Sequence, residues 1–434
     1  MSIEQLYQLY LQSSGVSTDT RKINSGSLFF ALKGPNFNAN NFAALATDQG
    51  ALAAVIDEEK FFIDEQKTIL VHDVLKTLQQ LALHHRRQMK CPVIAITGSN
   101  GKTTTKELVF AILKSEFNTF CTQGNLNNHI GVPLTLLSIP VNAEMIVIEL
   151  GANHIGENKF LCELAEPDFG LITNNGMDHL EGYGSIEGVR KGNGEVYEYL
   201  KTKNATAFVS AFQQDLMMSS ENQNRIIYGE NEKSIVRAEV LHSFPYLKSN
   251  LTFADKNSFE VQTQLVGKYN LENILAAAAI GFHFGVSAEK IKSAIENYQP
   301  ANNRSQQREI NGNHFILDAY NANPSSMLLA LQNFADFPVE NKIAVLGDMA
   351  ELGEYSETEH EKILQQALSF QLKEIWLVGN NFFRLAEKSL PKNSVIKTFS
   401  SVEELKTHFQ KQHFSQYYFL LKGSRVNKLE KMLE

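Results

Sequence analysis

The chain has 434 residues, of which 43% are hydrophobic and 20% are charged, and its formal net charge is −8. This length exceeds what one hydrophobic core organises, so about two to four domains are expected, and the acidic balance argues against a general nucleic-acid-binding protein. The three cysteines, Cys91, Cys121 and Cys162, lack disulfide or metal-binding spacing, and no run resembles a signal peptide or a membrane span, so we expect a cytoplasmic protein without membrane insertion.

The N-terminal region alternates short apolar strands with helices. An amphipathic helix is predicted to begin at Asp73 and to end near Arg87, where a basic stretch follows. We therefore predict a first, small α/β domain over residues 1–88. Its predicted strands are 27–32, 51–56 and 68–71.

The middle region, residues 89–300, begins with an apolar strand and a glycine-rich loop. Two further runs, 145–150 and 169–173, are almost continuously apolar, which is typical of a parallel sheet covered on both faces. The polar stretch 300–308 is interpreted as a linker. Weaker strands are predicted at 206–209, 225–228 and 259–266, and helices at 271–284 and 288–298.

Residues 301–434 repeat strand and helix, which predicts a small doubly wound domain of the Rossmann type. The fold class predicted from the whole chain is therefore α/β, with three domains. The predicted strands of the last domain are 314–317, 342–346, 374–378 and 417–421.

In the most informative segment, an apolar strand runs into Gly98, Gly101, Lys102 and Thr103. Glycines let the backbone approach a polyanion closely, and the N-terminal end of the following helix adds a positive dipole. A lysine here reaches terminal phosphates, and a threonine hydroxyl holds magnesium. The common nucleotide-binding pattern has glycine where this chain has Ile96, so the loop is a tighter form; a plain glycine turn is the alternative.

Polar side chains also follow the other two apolar strands of the middle region. Glu149 ends one strand, and His179 lies shortly after the next. Ligands bind beyond the carboxyl ends of parallel strands, and a carboxylate suits magnesium, so both residues are candidate magnesium ligands. Read alone, Glu149 is equally an ordinary surface residue, and His179 an ordinary hydrogen-bonded histidine.

Further polar loops lie in the middle and last domains. Asn125, Asn127 and Asn128 either form only a turn or position phosphate or substrate. In the last domain, polar loops follow three strands and predict a second wall of ligand contacts. These loops are 318–327, 347–353 with His360 beyond it, and 422–425.

Together, in their order and spacing, these motifs resemble the Mur ligases over nearly the whole chain. The runs 17–21 and 26–34 look like the nucleotide-sugar-binding start of such a ligase. The run 318–327 resembles the form found in the family member that uses D-alanyl-D-alanine, and the runs 347–353 and 422–425 match as well.

The resemblance implies a UDP-precursor-binding domain, a central P-loop ATP-binding domain and a C-terminal domain that closes over the site. It implies that ATP phosphorylates the C-terminal carboxylate of UDP-N-acetylmuramoyl-tripeptide (UDP-MurNAc-tripeptide). The amine of D-alanyl-D-alanine then attacks the acyl phosphate, and phosphate leaves. The product is a precursor of cell-wall peptidoglycan. The expected partners are these two small molecules and no nucleic acid, and the expected state is a monomer.

The resemblance also implies roles for individual residues. Catalysis falls to Lys102, Glu149 and His179, and magnesium binding to Thr103, Glu149 and His179. The implied ATP contacts are Gly98, Ser99, Asn100, Gly101, Lys102, Thr103, Thr104, Asn270, Asn273, Arg304 and Asp318. The implied UDP-precursor contacts are Ser17, Thr18, Asp19, Arg21, Lys33, Asn125, Asn127 and Asn128. The implied D-alanyl-D-alanine contacts are Tyr320, Asn321 and Asn323.

Two positions depart from the family pattern. The family usually has a carbamylated lysine, in a Lys-Gly-Glu run, that helps to hold a second magnesium ion; here the aligned residue is Asn193. Lys191 lies about 200° away around the helix and is a poor substitute. We therefore expect two magnesium ions, and we expect that the second site is weaker or that it uses a water or another group. Near the uridine, residues 38–42 replace the family's Asp-Gly-His or Asp-Gly-Asn run before phenylalanine.

Three alternatives remain open from the sequence. The first is another Mur-type ligase that adds glutamate or a diamino acid. The second is a folylpolyglutamate-type ligase. The run 318–327 argues against both. The third, on account of Asn193, is a non-catalytic homologue that binds nucleotide as a scaffold or switch.

Overall fold

The computed structural model describes residues 1–301, 303–389 and 395–434. By its internal contacts the chain divides into two compact units. The first comprises Met1–Ile96, Phe117–Ala152 and Gly156–Gly170, and the second comprises Thr97–Glu116, Asn153–Ile155 and Leu171–Glu434.

The first unit opens with a small, fully parallel sheet. Its three apolar strands occur where the sequence predicts them. A short strand near the N-terminus adds a fourth at the edge of the sheet. The order across the sheet is Val16–Ser17, Leu28–Phe30, Ala53–Ile56 and Thr68–Leu70. The helices of this part are Ile3–Gln12, Ala43–Asp48 and Val74–Arg86, and a hairpin joins Lys33–Gly34 to Phe37–Asn38.

The first unit also contains three parallel strands of the middle region. They run in the order Thr119–Cys121, Met145–Glu149 and Val93–Thr97, the last paired through residues 93–96. Every residue of Met145–Glu149 is buried, as a parallel strand covered on both faces requires. The helices here are Gly131–Leu137 and Glu157–Ala165, and the strand Phe169–Ile172 lies across the boundary of the two units in the sequence.

The second unit begins with the helix after the glycine loop. Its helices before residue 300 are Lys102–Lys114, Leu180–Tyr183, Ile186–Thr202, Gln214–Ser219, Asn270–His283 and Ala288–Asn297. Two strands, Thr206–Ser210 and Arg225–Tyr228, pair in parallel. An antiparallel sheet follows, formed by Val236–His242, Lys248–Phe253 and Ser258–Gln262. The sequence analysis missed its first two strands, because their polar, half-exposed residues lack an apolar run.

The C-terminal part of the second unit is a six-stranded sheet with helices on both sides. Its strand order is Gln306–Ile310, Asn313–Asp318, Tyr418–Lys422, Lys342–Gly347, Glu374–Val378 and Ile396–Phe399, and only the first strand is antiparallel. The helices are Pro324–Ala335, Ser356–Ser369, Asn380–Ser389 and Val402–Gln410.

Residues alternate between the two faces of this C-terminal sheet. Ala344 and Leu346 belong to one apolar cluster, whereas Ile343, Val345 and Trp376 belong to the other. Side chains of a strand point alternately to opposite faces, so both faces are buried, and the predicted doubly wound arrangement is confirmed.

The predicted linker at 300–308 is wrong at its end. Gln306 already pairs with Leu317 at the start of the antiparallel edge strand. The side chains of this strand are partly or fully exposed, and an edge strand of this kind carries polar residues that read as a loop. Within the described residues, no helix is both long enough and apolar enough to cross a membrane.

A buried amide holds the chain together after the hairpin of the first unit. Asn40 is fully buried, and its amide nitrogen donates to Asp57 Oδ1 at 2.9 Å and to Asn38 Oδ1 at 3.0 Å. Its side-chain oxygen accepts from the Asp57 backbone N–H at 3.0 Å. Buried polar groups that lose their partners destabilise the fold, so this cross-link is structural.

Replacing Asn40 with alanine is expected to lower the free energy of unfolding of the protein by about 1–3 kcal/mol, since Asp57 Oδ1 loses a donor and the Asp57 N–H loses its acceptor. Urea unfolding followed by circular dichroism measures the change. Asn41→Ala is the matched control, because the exposed Asn41 makes one bond, from its amide to Asn38 O at 3.1 Å. Equal stability of Asn40→Ala and Asn41→Ala would contradict the structural role.

Candidate functional site

The glycine loop is shaped by close backbone contacts. Gly98 has φ +123°, and a Cβ there would lie 2.2 Å from Thr173 Oγ1. Gly101 has φ +82°, and a Cβ there would lie 2.4 Å from Asn273 Oδ1. Both positions therefore exclude side chains on conformational and steric grounds. Strand Val93–Thr97 ends at this loop, and helix Lys102–Lys114 begins from it.

The segment after strand Phe169–Ile172 fixes the loop from the side. Thr173 Oγ1 and Asn174 Nδ2 donate to Asn100 O at 2.7 and 3.0 Å. In return, Asn100 N donates to Asn174 Oδ1 at 3.1 Å, and Ser99 Oγ donates to Asp178 Oδ1. The sequence did not identify Thr173, Asn174 or Asp178 as site residues. Their bonds hold the predicted phosphate-binding residues in one preformed loop.

Lys102 and Asn273 lie against the same loop, and Asn270, the other asparagine predicted to contact ATP, lies behind Asn273. The Lys102 ammonium donates to Gly98 O and to Ser99 O. Asn273 is buried behind Gly101, where its Oδ1 accepts from Thr105 Oγ1 at 3.0 Å, and its Nδ2 donates to Asn270 Oδ1 at 2.9 Å. Thr103 is buried in the first turn of the helix, and Thr104 is half-buried.

Glu149, in the first unit, is a buried carboxylate with an unsatisfied oxygen. It is 2% exposed, and its Oε1 accepts from Asn127 Nδ2 at 2.8 Å. Among the described residues, no group donates to its Oε2. An ionised oxygen buried in this way requires a cation or donor, and magnesium prefers carboxylate oxygen. Glu149 therefore fits the predicted role of a magnesium ligand.

His179, in the second unit, contacts Glu351, which lies in the loop 347–353 that the sequence assigned to the second ligand wall. His179 has φ +47°, and its Nδ1 lies 2.6 Å from Glu351 Oε2. Glu351 itself has φ +61°, and its carbonyl accepts from Glu181 N at 3.1 Å. The bond with His179, more than the nearby charges of His179 and Lys102, lowers the pKa of the Glu351 carboxyl, and burial opposes the shift. His179 and Glu351, whose backbones are both in the left-handed region, thus join two loops that are far apart in sequence.

Asn193 lies inside a chain of side-chain hydrogen bonds. It is 4% exposed, whereas Lys191 on the same helix is exposed, as the helical spacing predicts. Asn193 Nδ2 donates to Asn175 Oδ1 at 2.9 Å, and Asn175 Nδ2 donates to Asp215 Oδ2 at 2.7 Å. Neutral amide groups thus occupy position 193 and its neighbour. The nearest carboxylate in this chain of bonds is Asp215, two hydrogen bonds away.

The predicted UDP-precursor residues lie in the first unit. Asp19 accepts from Arg21 N and Nε at 3.0 and 2.9 Å, and hydrogen bonds with Arg21 lower the pKa of Asp19 to about 2. Lys33 Nζ lies 3.0 Å from Asp57 Oδ1. Ser17 Oγ donates to Asp19 O at 3.1 Å, and Thr18 is half-buried nearby in sequence.

Two of the three asparagines of the middle region have defined roles in this first unit. Asn127 binds Glu149, as described. Asn128 Oδ1 accepts from Ile130 N and Gly131 N at 3.1 and 2.9 Å, which secures the start of helix Gly131–Leu137. Asn125 is exposed.

The loop that begins at Asp318 connects the C-terminal sheet to the phosphate loop. Lys422 Nζ lies 3.0 Å from Asp318 Oδ2 and donates to Asn321 O at 2.9 Å. Farther along, Asn323 Nδ2 donates to Asn100 Oδ1 at 2.9 Å. Residues predicted to contact ATP and D-alanyl-D-alanine are therefore in direct contact.

Asp348 and His360, which the sequence placed in the second ligand wall, are instead bound to backbone. Asp348 accepts from Asn381 N and Phe382 N at 2.9 and 3.0 Å. Its carbonyl accepts from Ser424 N at 3.1 Å and from Asn427 Nδ2 at 2.7 Å. His360 Nε2 accepts from Met349 N at 3.0 Å. These two residues therefore hold the loops of the predicted wall in place.

Comparisons with known proteins agree with this geometry. The models of the Mur ligase middle domain and of the Mur ligase, glutamate ligase domain match residues 96–281 and 303–425. The chain is 34% identical over 436 residues to the UDP-N-acetylmuramoyl-tripeptide–D-alanyl-D-alanine ligase of Escherichia coli K12, covering 96% of this chain and 92% of that relative.

Two solved structures are similar over nearly their full length. MurF from Acinetobacter baumannii is 31% identical with a TM-score of 0.86, and the match covers 100% of this chain and 97% of that chain. MurF from Thermotoga maritima, solved in complex with ADP, is 25% identical with a TM-score of 0.85, and the match covers 98% and 97%. The predicted α/β fold with the three-domain organisation of these ligases is confirmed.

Protonation of His360 is expected to destabilise the protein. Its Nδ1 lies 2.7 Å from Ser356 O, so the neutral ring donates there and accepts from Met349 N through Nε2. Burial lowers the pKa of His360, although Ser356 O and Asp348 oppose the shift. Because the unfolded chain binds the proton more readily, stability is complete above about pH 6.5 and falls as the pH drops towards the folded-state pKa.

The melting temperature should therefore fall between about pH 7.5 and pH 5. His360→Gln should be less stable at the higher pH and should lose less on acidification than the unmodified protein. Differential scanning fluorimetry at both pH values measures this difference. His413→Gln, at an exposed position, is the control. Its melting temperature should change with pH as that of the unmodified protein does. If acidification lowered the melting temperature of His360→Gln as much as that of the unmodified protein, the assignment of this pH dependence to His360 would be contradicted.

Proposed function

Because the chain belongs to the Mur ligase family, we propose that it is an ATP-dependent ligase. It joins D-alanyl-D-alanine to the C-terminal carboxylate of UDP-MurNAc-tripeptide, giving the UDP-MurNAc-pentapeptide, ADP and phosphate. The observation that carries the proposal is the bond from Asn323 to Asn100, which joins the proposed dipeptide loop to the phosphate loop. The names of the full-length relatives support the same substrates.

The reaction proceeds through an acyl phosphate. The tripeptide carboxylate attacks the γ-phosphorus of ATP, and the bond to ADP breaks. The dipeptide amine then attacks the acyl carbon, loses a proton, and expels phosphate. Transfer between anions depends on positioning and on compensating positive charge. The rigid glycine loop supplies backbone N–H groups, and Lys102 exchanges its bonds with Gly98 O and Ser99 O for phosphate oxygens.

Magnesium, when bound, supplies positive charge to the phosphate oxygens. Thr103, Glu149 and His179 are the residues that would hold it, and the unsatisfied Glu149 oxygen supports this assignment. The His179 Nδ1 faces Glu351, so a metal held through that nitrogen would replace this contact.

Substrate binding is divided among the loops. Ser17, Thr18, Asp19, Arg21 and Lys33, with Asn125, Asn127 and Asn128, bind the UDP precursor. Asn270, Asn273, Arg304 and Asp318 complete the ATP contacts. Tyr320, Asn321 and Asn323 face the dipeptide. We also propose that the protein acts as a monomer in the cytoplasm, where its three buried thiols stay reduced.

Phosphate release from ATP is expected to require both UDP-MurNAc-tripeptide and D-alanyl-D-alanine. Lys102→Met should reduce this release by about 10²–10³-fold, because a cation at the transferred phosphate is lost. A coupled phosphate assay with each substrate omitted in turn measures both effects. Lys114→Met, at the exposed far end of the same helix, is the matched control. ATP hydrolysis without the joint requirement would contradict the proposed ligase reaction.

Asn193→Lys is expected to restore a carbamate and to lower the half-saturating magnesium concentration by about tenfold. The neutral amides at this position offer oxygen but no charge, and a carbamylated lysine adds a carboxylate-like ligand. Magnesium titration of activity and intact-mass detection of the carbamate measure the two consequences. Lys191→Asn, at the exposed position on the same helix, is the control. If Asn193→Lys and the unmodified protein share one magnesium dependence and carry no carbamate, position 193 lies outside the metal site.

A further inference from the structure

Two arginines share one aromatic ring in the C-terminal wall. The Arg304 guanidinium carbon lies 3.7 Å from the centre of the Tyr320 ring, and that of Arg425 lies 5.5 Å from the same centre. Both distances are within the range of cation–π attraction, about 6 Å. We call Arg304 and Arg425 the arginine pair. The ring holds two cations close together that would otherwise repel each other.

The sequence brings these three residues together through adjacent strand ends. Asp318 and Lys422 are register partners in parallel strands, and their side chains form the ion pair already described. Tyr320 and Arg425 follow these partners by a few residues. Arg304 is brought in by its neighbour, since Ala319 N donates to Asn303 O at 3.0 Å. The position of the ring is thus set by buried contacts, whereas the Arg425 side chain is on an exposed residue.

The arginine pair has no carboxylate partner in the part of the chain that the structure describes. The neighbouring Asp318 is already paired with Lys422, whose side chain is 3% exposed. A planar guanidinium presents donors that match a carboxylate or phosphate. Two such groups beside one ring, without an internal anion, form a receptor for an anionic oxygen group of a ligand.

We propose that Arg425 binds the terminal carboxylate of the acceptor dipeptide, and that Tyr320, besides facing the dipeptide, orients the arginine pair. This inference rests on the proposed ligase function. The loop that carries Tyr320 reaches the phosphate loop three residues later, through Asn323 and Asn100. Three extended residues span at most about 10 Å, and a dipeptide spans about 7 Å. The two lengths are comparable, and the arginine side chains extend beyond the Tyr320 ring, so a dipeptide whose amine lies near the phosphate loop can place its carboxylate beside the arginine pair.

The test compares D-alanyl-D-alanine with D-alanyl-D-alaninamide, in which a neutral amide replaces the carboxylate. With the unmodified protein, kcat/KM for the amide should be about 10- to 100-fold lower, the usual effect of losing a charge-assisted hydrogen bond. Arg425→Gln should show the same loss with D-alanyl-D-alanine and little further loss with the amide. Its KM values for ATP and for UDP-MurNAc-tripeptide should not change.

Two variants at position 320 separate positioning from direct contact. Tyr320→Phe keeps the aromatic face and should retain most of the preference for the carboxylate. Tyr320→Leu removes the face and should reduce that preference, mainly through a higher KM for the dipeptide. The controls are Lys373→Gln and Tyr417→Leu. They disrupt a similar pair, 4.6 Å from ammonium to ring centre, at the opposite ends of the strands of the same sheet.

The outcomes are distinct. Equal use of both acceptors by the unmodified protein overturns the carboxylate assignment while leaving the ligase function intact. A higher KM for ATP in Arg425→Gln, with the preference for the carboxylate retained, assigns the arginine to ATP phosphate and also overturns it. No ligation with either acceptor contradicts the proposed function itself. The acceptor comparison needs no variant, so it stands even if a substitution prevents folding.

Discussion

The close packing of Gly98 against Thr173 is the constraint on which the rest of the second unit depends. There is no space for a side chain between them, so the phosphate loop and the segment after residue 172 are held as one surface. Bonds to Asn100 and Ser99 then fix the loop, and the same segment leads on to Asn175 and His179. Because the loop is already ordered before phosphate binds, little of the free energy of phosphate binding is lost in ordering the loop. Catalysis of phosphoryl transfer depends on such positioning.

Much of the fold was predictable because its signals are local. The buried parallel strands are continuous apolar runs, and the glycine loop follows one of them directly. The strands that were missed, Val236–His242 and Lys248–Phe253, have alternating or polar residues, and the edge strand Gln306–Ile310 was read as a linker. Their pairing depends on contacts made elsewhere in the sheet, which a single sequence window does not contain.

The site was predicted less completely, and for a related reason. Lys102 and His179 follow strands and Glu149 ends one, so position together with residue type suggested them. Glu351 contacts His179 from a loop that is distant in sequence, and Asn175 reaches Asp215 across 40 residues. Asp348 and His360 lie in the expected loops, yet they bind backbone groups. Sequence pattern therefore located the loops, but only the structure identified the residues whose bonds hold those loops in place.

The bonds of Asp348 have a consequence for how substrate preference can change in this family. One residue joins the turn after strand Lys342–Gly347 to the start of helix Asn380–Ser389 and to the segment around Ser424. These three loops are therefore held together through Asp348. Because the bonds end mainly on backbone N–H groups, which most substitutions keep, the side chains of these loops can change with the acceptor without loss of stability as long as the aspartate at position 348 is kept.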